Sequence, residues 1–262
     1  MNLKILIFSL AALIPSLSGA QTSQPINQTD REGHKQGHWI KKYPSGQTMY
    51  DGFFRNDKPQ GEFKRYYENG ELKSVMVFSA DGSTSEATIY YDNGFPASKG
   101  KYLNQFKEGT WKYYSPTSKG VKVLQEDYTR DKRNGVSVEF YPDSTIAEKI
   151  SYKDGRKDGP WTKYNQDGKI SFSASCSNDK LNGKYEGFFD NGKTEITGNY
   201  KDDLRDGAWT MYTRDGKVKF KIEYVLGMPQ NRDLDIYETN LLDSLEKVKI
   251  TFPDPEKTGQ PW

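Results

Sequence analysis

The chain has 262 residues, of which 34% are apolar and 14% aromatic, and it contains 18 Tyr and 24 Gly. An apolar fraction this low is typical of disordered chains, but the abundance of aromatic residues and glycines indicates an ordered, β-rich fold. The formal net charge is only +2. It excludes the strongly basic overall charge that would attract nucleic acid or an anionic membrane.

The first twenty residues have the pattern of a secretory signal peptide. Lys4 precedes an apolar run over residues 5–17, and small residues lead to Ala20 and Gln21. The run is shorter than the roughly 20 apolar residues that a membrane-spanning helix needs, so we expect cleavage between Ala20 and Gln21. No cysteine follows the run, which disfavours a lipid anchor. The sequence therefore predicts an exported protein, either periplasmic or secreted.

A polar leader is predicted over residues 21–36, and eight repeats with a 24-residue period over residues 37–230. The first small residue of each repeat is called position L here, and other positions are counted from it. Position L is held by Gly37, Gly61, Ser85, Gly109, Gly135, Gly159, Gly183 and Gly207. The fourth repeat has two extra residues, which we place in the turn before Gly120 because insertions are tolerated best in turns.

Three positions of the repeat carry mostly aromatic residues. L+2 is occupied by Trp39, Phe63, Trp111, Trp161, Tyr185 and Trp209, with Ala87 and Ser137 in the other two repeats. L+5 is occupied by Tyr66, Tyr90, Tyr114, Phe140, Tyr164, Phe188 and Tyr212, with Lys42 in the first repeat. L+17 is occupied by Phe54, Phe78, Tyr102, Tyr128, Tyr152, Cys176, Tyr200 and Tyr224, counted as L+19 in the longer fourth repeat.

Each repeat is predicted to form two strands. The second half alternates apolar and polar residues, as in 217–224, which is typical of a half-buried strand. In the first half, L+2 and L+5 would lie on opposite faces of a regular strand, so either a β-bulge redirects one ring or both faces carry aromatics. Turns are predicted within repeats at sequences such as Asn69-Gly70, and between repeats at sequences such as Asp158-Gly159 and Asp206-Gly207.

These features predict an all-β fold, an elongated antiparallel β-meander of tandem β-hairpins in a single-layer twisted sheet. Residues 231–262 are predicted to form a C-terminal cap. It consists of a short amphipathic helix at about 237–249, with Leu241, Leu242, Leu245 and Val248 at helical spacing, and an irregular tail. We expect the helix to cover the open end of the sheet.

The segment Tyr152–Tyr164, which reads YKDGRKDGPWTKY, resembles the MORN-repeat variant of bacterial proteins often labelled YwqK-type antitoxins. The resemblance covers about residues 36–230 and gains its specificity from recurrence in eight repeats. It implies a sheet of stacked hairpins with a role in protein or lipid contact. The label itself would imply a toxin partner.

Side chains suited to catalysis or metal binding are few. His34 and His38 are the only histidines and are interpreted as solvent-exposed. Cys176 is the only cysteine, so an intramolecular disulfide is excluded. It occupies position L+17, which is otherwise Phe or Tyr, and is interpreted as a small buried apolar residue in place of a ring. The acidic residues lie mostly in turns, where they favour chain reversal. No position in the repeats stands out as singular chemistry, so we expect no enzyme, cofactor or metal site.

The aromatic columns are the candidate functional surface. They are interpreted first as core, and alternatively as the lining of an open groove, since a single-layer sheet cannot bury both faces. The leading hypothesis is a non-catalytic protein-interaction or scaffold module in the cell envelope. The alternatives are a carbohydrate- or membrane-surface-binding module, a toxin-neutralising partner and, with least support, a hydrolase.

Overall fold

The computed structural model describes residues 25–231 together with residues 240 and 241. Within these residues the chain forms one open antiparallel sheet of 19 strands. Consecutive strands pair along the chain with one exception, where the strand Lys122–Thr129 pairs with both Lys132–Arg133 and Gly135–Phe140, the two strands that follow it. The predicted all-β hairpin meander is therefore confirmed.

The strands follow one another with little intervening chain, and two of them make up most repeats. Their bounds are β1 Gln28–Thr29, β2 Lys35–Lys42, β3 Thr48–Arg55, β4 Lys58–Tyr66, β5 Leu72–Phe78, β6 Thr84–Tyr90, β7 Pro96–Leu103, β8 Phe106–Tyr114, β9 Lys122–Thr129, β10 Lys132–Arg133, β11 Gly135–Phe140, β12 Ile146–Lys153, β13 Arg156–Tyr164, β14 Ile170–Ser177, β15 Lys180–Phe188, β16 Thr194–Lys201, β17 Leu204–Tyr212, β18 Val218–Val225 and β19 Met228–Pro229.

The turns within repeats lie where the sequence predicts them. In the second repeat the N–H of Tyr67 donates to the carbonyl of Glu71, and Gly70 has a φ of 88°, which glycine adopts without a steric penalty. In the fourth repeat the chain between β8 and β9 runs over residues 115–121 and contains Gly120. The two extra residues thus lie in a turn, as expected.

The turns between repeats lie about four residues earlier than predicted. Lys153 pairs with Arg156, so Asp154 and Gly155 form a two-residue turn in which both φ angles are positive. Gly159 lies inside β13 instead, at a shift in the register with β12. Its positive φ serves a β-bulge and not a chain reversal. The prediction of a turn at Asp158-Gly159, and at its equivalents in the other repeats, was wrong.

The apolar residues form two separate clusters on the same face of the sheet. The N-terminal cluster consists of Phe63, Met76, Ala87, Tyr102, Trp111, Tyr113 and Val123. The C-terminal cluster consists of Phe172, Ala174, Tyr185, Ile196, Trp209, Met211, Ile222 and Tyr224. Polar side chains of β9, β11, β12 and β13 lie between them, so the core is interrupted near the middle of the array.

The two ends of the described region show the start and finish of the array. Within the predicted leader, Gln28 and Thr29 of β1 pair with Gln36 and Lys35 of β2. Of the predicted capping helix only residues 240 and 241 are described. Both are helical, and Leu241 packs against the C-terminal cluster, on the face of the sheet. The predicted signal peptide and tail lie outside the described residues. No helix in the described part of the chain is long and apolar enough to cross a membrane.

Candidate binding face

The two faces of the sheet differ in composition. The core face carries positions L+2 and L+4 of the first strand and L+13, L+15 and L+17 of the second, and it contains both apolar clusters. The outer face carries the alternate residues. Phe54 and Phe63 therefore lie on the core face, whereas Asp51, Phe53 and Lys64 lie on the outer face.

Residues at L+2 fit against the L+15 residue of the preceding repeat. Gly52 pairs with Phe63, whereas Met76 pairs with Ala87, so a large residue on one strand meets a small one on the next. A Cβ added at Gly52 would lie 2.1 Å from the ring of Phe63. Because a large residue packs against a small one, the side chains of the core face fill the space between them without a second layer of structure.

The L+2 candidates are therefore mostly core residues. Phe63, Trp111, Tyr185 and Trp209 are buried, with the last three fully inaccessible, and Trp39 and Trp161 are half-buried. In these repeats the rings form the packed interior of the core face. An open groove lined by the whole L+2 column is not what the structure shows.

The L+5 candidates lie beyond a β-bulge and are half-buried. A register shift separates L+4 from L+5 in all eight repeats. Tyr66 lines a shallow groove on the outer face together with Asp51, Phe53 and Lys64. Both alternatives from the sequence thus occur, because the strand is bulged and both faces carry aromatics. The half-buried L+5 residues are Tyr66, Tyr90, Tyr114, Phe140, Tyr164, Phe188 and Tyr212.

The histidines are placed differently from each other. His34 is exposed, with its Nδ1 3.5 Å from Asp30. His38 is only partly exposed on the outer face, where its Nε2 lies 2.7 Å from Oδ1 of Asp51 and its ring stacks on Phe53 at 4.9 Å. The interpretation of His38 as simply solvent-exposed is corrected by this contact. Over the residues that the structure covers, no group of His, Cys, Asp and Glu could hold a metal ion.

Basic residues at L−2 form a column that the sequence analysis missed. Lys107 Nζ lies 4.8 Å from the ring centroid of Trp111 and 5.1 Å from that of Tyr128, which are the L+2 and L+17 equivalents of its own repeat. Arg205 is placed in the same way over Trp209 and Tyr224. These are cation–π contacts. Five of the eight L−2 residues are basic, and the position is held by Lys35, Pro59, Ser83, Lys107, Arg133, Lys157, Leu181 and Arg205.

Repeats two, three and seven lack a basic residue at L−2, and a cavity lies at this position in repeats two and three. The cavity has a volume of about 450 Å³. Its apolar wall is formed by Phe54, Phe63, Met76, Phe78 and Tyr102. Pro59 and Ser83 line it from the L−2 positions. The rest of the lining is polar and includes Arg65, Lys58, Asp57 and Asp81.

A group of ionisable side chains separates the two apolar clusters. Glu139 and Glu148 are directly opposite in the β11–β12 pair. Burial, reinforced by the carboxylate of Glu148, raises the pKa of Glu139 to about 7. Glu148 Oε1 accepts a hydrogen bond of 2.9 Å from Nε1 of Trp161 and lies 3.6 Å from Nζ of the buried Lys163.

Glu126 extends this polar group towards the N-terminal cluster. It is buried, accepts a hydrogen bond of 2.5 Å from the hydroxyl of Tyr128, and lies 3.5 Å from Arg133. Ser137, also buried, holds the L+2 position where most repeats have a ring. The sequence signal was the loss of the aromatic residue at Ser137 together with an acid at Glu126. Cys176 is buried, as predicted, and burial raises the pKa of its thiol.

Comparison with known proteins supports the repeat assignment. Four segments match the sequence model of the MORN repeat variant, at residues 59–79, 133–154, 181–202 and 205–225. These four segments are similar to MORN-variant repeats. Each matched segment begins at L−2 and ends at the last residue of the second strand or one residue beyond it, so the matched unit coincides with the structural one.

Other comparisons add little. No curated protein matches this chain in sequence. Among solved structures, the crystal structure of TcdB2-TccC3-Cdc42 matches 71% of this chain and 13% of its own chain at 8% identity, with a TM-score of 0.15. A similarity at that level carries no argument about fold or function. MORN-variant repeats generally mediate protein or membrane interactions, which agrees with a binding module.

Proposed function

We propose that this protein is an exported, non-catalytic MORN-variant module that binds a protein partner through the core face of its N-terminal repeats. The observation that carries the proposal is the cavity in repeats two and three. It has the size of a ligand pocket, an aromatic wall and a polar rim, which are the features of a buried anchor site in protein interfaces.

The C-terminal half of the same face supports this choice of surface. There Leu241 packs against the apolar cluster, so part of that face is covered by the chain itself. In the N-terminal half, Phe63 and Phe78 border the cavity instead. The two halves share one architecture, and the N-terminal one offers the more open surface.

The test is capture of a partner from an envelope fraction by the mature protein beginning at Gln21. We expect one specific protein to be retained, and Phe78→Ala to reduce its retention while Phe53→Ala, on the outer face, leaves it unchanged. Circular dichroism verifies that both variants fold. Equal retention by the two variants, or no specific protein at all, would refute the proposal.

Export is proposed from the signal-peptide pattern and has its own test. Cell fractionation followed by N-terminal sequencing is expected to find the protein outside the cytoplasm with Gln21 as its first residue. A product that keeps residues 1–20 in the cytoplasm would contradict it. The toxin-neutralising role rests only on the label carried by similar proteins and predicts a toxic partner among captured proteins.

Carbohydrate binding is the second candidate, and the outer groove favours it. The ring of Phe53 is 52% exposed and is flanked by hydrogen-bonding side chains of Asp51, Gln60 and Glu62. A ring beside such groups suits a sugar ring. Binding of envelope polysaccharide that Phe53→Ala abolishes and Phe78→Ala retains would support this candidate over the first.

A further inference from the structure

The hairpin of β7 and β8 places two lysines directly opposite each other on the outer face. Lys99 of β7 pairs with Lys112 of β8, and both side chains are exposed. Residues directly opposite in an antiparallel pair have their Cβ atoms about 5 Å apart, and like charges there are destabilising. An anion bound between the two ammonium groups would remove this repulsion. These two residues are called the lysine pair here.

The equivalent positions between β3 and β4 carry opposite charges. There Asp51 lies opposite Lys64, whose Nζ is also 2.7 Å from Oε1 of Glu62. Within residues 25–231, neither Lys99 nor Lys112 has a carboxylate partner of this kind. The same two positions of the repeat thus hold balanced charges in one hairpin junction and two unbalanced positive charges in the other.

The residues that flank the lysine pair are neutral and can form hydrogen bonds. Thr88 of β6 lies opposite Lys99, and Gln125 of β9 lies opposite Lys112. A hydroxyl and an amide therefore stand on either side of the two ammonium groups, in one row across four strands. Such a row offers both charge and hydrogen bonds to a ligand that is acidic and rich in hydroxyl groups.

The turn end of the same hairpin adds an exposed ring. Phe106 is 48% exposed, and it lies on the outer face because its neighbour Lys107 is buried on the core face. Lys101 is exposed between this ring and the lysine pair, and it lies opposite Glu86 and Glu108 of the adjacent strands. The charge of Lys101 is therefore balanced, which singles out the lysine pair as the place for an anion.

We infer that the outer face of this hairpin binds an acidic polysaccharide, with a carboxylate between Lys99 and Lys112 and a sugar ring packed on Phe106. The ring and the lysine pair are about 14 Å apart along the strands, so one extended polymer can contact both. Aromatic rings suit the apolar face of a sugar. The inference does not depend on the protein partner proposed for the core face, and the site is separate from the outer groove of the first two repeats.

A peptide or a membrane fits this hairpin less well. Both β7 and β8 are paired on each side, so an acidic peptide finds no free backbone edge to which it could add as a strand. An anionic membrane surface would require a broad apolar face beside the lysines. In this hairpin the exposed large apolar side chains are Leu103 and Phe106, both at the turn.

The test measures binding of polygalacturonate, a polymer of acidic sugars, to the mature protein by titration calorimetry. The double variant Lys99→Gln/Lys112→Gln is expected to bind about tenfold more weakly, since it removes two exposed ion pairs. Lys149→Gln/Lys221→Gln removes the same charge from the L+14 positions of the fifth and eighth repeats and should retain binding. Equal weakening by both double variants, or no binding by the wild type, would overturn the inference.

Other ligands test the choice of a polysaccharide. Poly-glutamate presents carboxylates on a peptide, and vesicles containing phosphatidylglycerol present phosphates on a membrane. Binding of either that depends on the lysine pair as strongly as polygalacturonate does would overturn this choice. Phe106→Ala is expected to weaken binding of polygalacturonate severalfold, and an unchanged affinity would refute the contact with the ring.

The free protein provides an independent measurement. Lys112→Glu places a carboxylate opposite Lys99, so it should raise the melting temperature of the free protein above that of the wild type and abolish binding of polygalacturonate. A lower melting temperature with unchanged binding would contradict the role of the lysine pair. Circular dichroism verifies that each variant folds.

Phe53→Ala separates this site from the carbohydrate candidate in the outer groove. We expect Phe53→Ala to leave binding of polygalacturonate unchanged, whatever its effect on other envelope polysaccharides. If Phe53→Ala abolishes this binding and Lys99→Gln/Lys112→Gln retains it, the polymer lies in the outer groove and the site at the lysine pair is refuted.

Discussion

The indole of Trp111 fills the space into which a side chain at residue 100 would project. A Cβ added at Gly100 would lie 2.2 Å from Cδ2 of Trp111, and the same relationship joins Gly198 to Trp209. The ring packs against the backbone of the glycine, and this ring–glycine contact recurs along the core face.

Gly100→Ala should therefore destabilise the protein although it adds only one methyl group. The ring of Trp111 is fully buried and cannot move aside without displacing its neighbours, so we expect a loss of about 1–3 kcal/mol. Chemical denaturation measures it, with Lys99→Ala on the exposed outer face as control. A loss no larger than that of the control would contradict this account of the packing.

A second prediction concerns a hydrogen bond that links neighbouring inter-repeat turns. Oδ1 of Asp203 accepts a hydrogen bond of 2.6 Å from the backbone N–H of Leu181, in the preceding repeat. We expect Asp203→Ala to cost about 1–2 kcal/mol more than Asp202→Ala in the free energy of unfolding. Both residues have a positive φ, so the backbone penalty of alanine is similar in the two variants. Equal losses would show that the hydrogen bond contributes nothing.

A third prediction follows from a ladder of tyrosine hydroxyls. The hydroxyl of Tyr67 donates to the carbonyl of Tyr90 at 2.7 Å, and Tyr43, Tyr91 and Tyr141 make the same bond to the next repeat. Tyr67→Phe should cost about 1 kcal/mol, since it removes one hydrogen bond and little surface. Thermal unfolding compares it with Tyr66→Phe, and a Tyr67→Phe variant as stable as that control would argue against the ladder.

A fourth prediction concerns pH and Glu139. An unfolded glutamate keeps its ordinary pKa of 4.5, whereas burial and Glu148 raise the pKa of Glu139 in the folded protein to about 7. The folded state thus holds this proton more tightly, and the resulting stability is present at low pH and is lost as the pH rises from about 4.5 to about 7.

Glu139→Gln should remove this dependence. At pH 8 we expect the variant to be more stable than the wild type by roughly 1 kcal/mol, a modest figure because the carboxyl remains partly open to solvent. At pH 4 the difference should vanish. Urea denaturation across this pH range measures the effect, with Glu223→Gln on the exposed outer face as control. Parallel pH profiles for Glu139→Gln and the wild type would refute the assignment.

The sequence predicts the fold well because the same local sequence signals recur in each repeat. The turn at Asn69-Gly70 and the alternation over 217–224 are short-range signals, and eight copies remove the ambiguity of any single one. The predicted turn at Asp158-Gly159 was wrong for a physical reason. A positive φ at glycine suits a bulge as well as a turn, and only the pairing of Lys153 with Arg156 decides between them.

The candidate site was less predictable because it depends on contacts between repeats. The L−2 column is visible in the sequence, but nothing local shows that Lys107 lies over Trp111 or that Pro59 and Ser83 line a cavity. The raised pKa of Glu139 likewise arises first from its burial and then from Glu148, which lies opposite it on another strand. Sequence periodicity identifies which positions recur, and the structure shows which contacts change in the repeats that depart from the pattern.

Because each long strand pairs only with the long strands next to it along the chain, a pulling force applied to the two ends would load the hydrogen bonds of the outermost strand one after another. Such a sheet yields by unzipping at its ends, and each 24-residue repeat that is released adds roughly 80 Å of extended chain. The array would then behave as an extensible tether, lengthening in steps under modest tension and shortening again as hairpins re-form on the remaining edge.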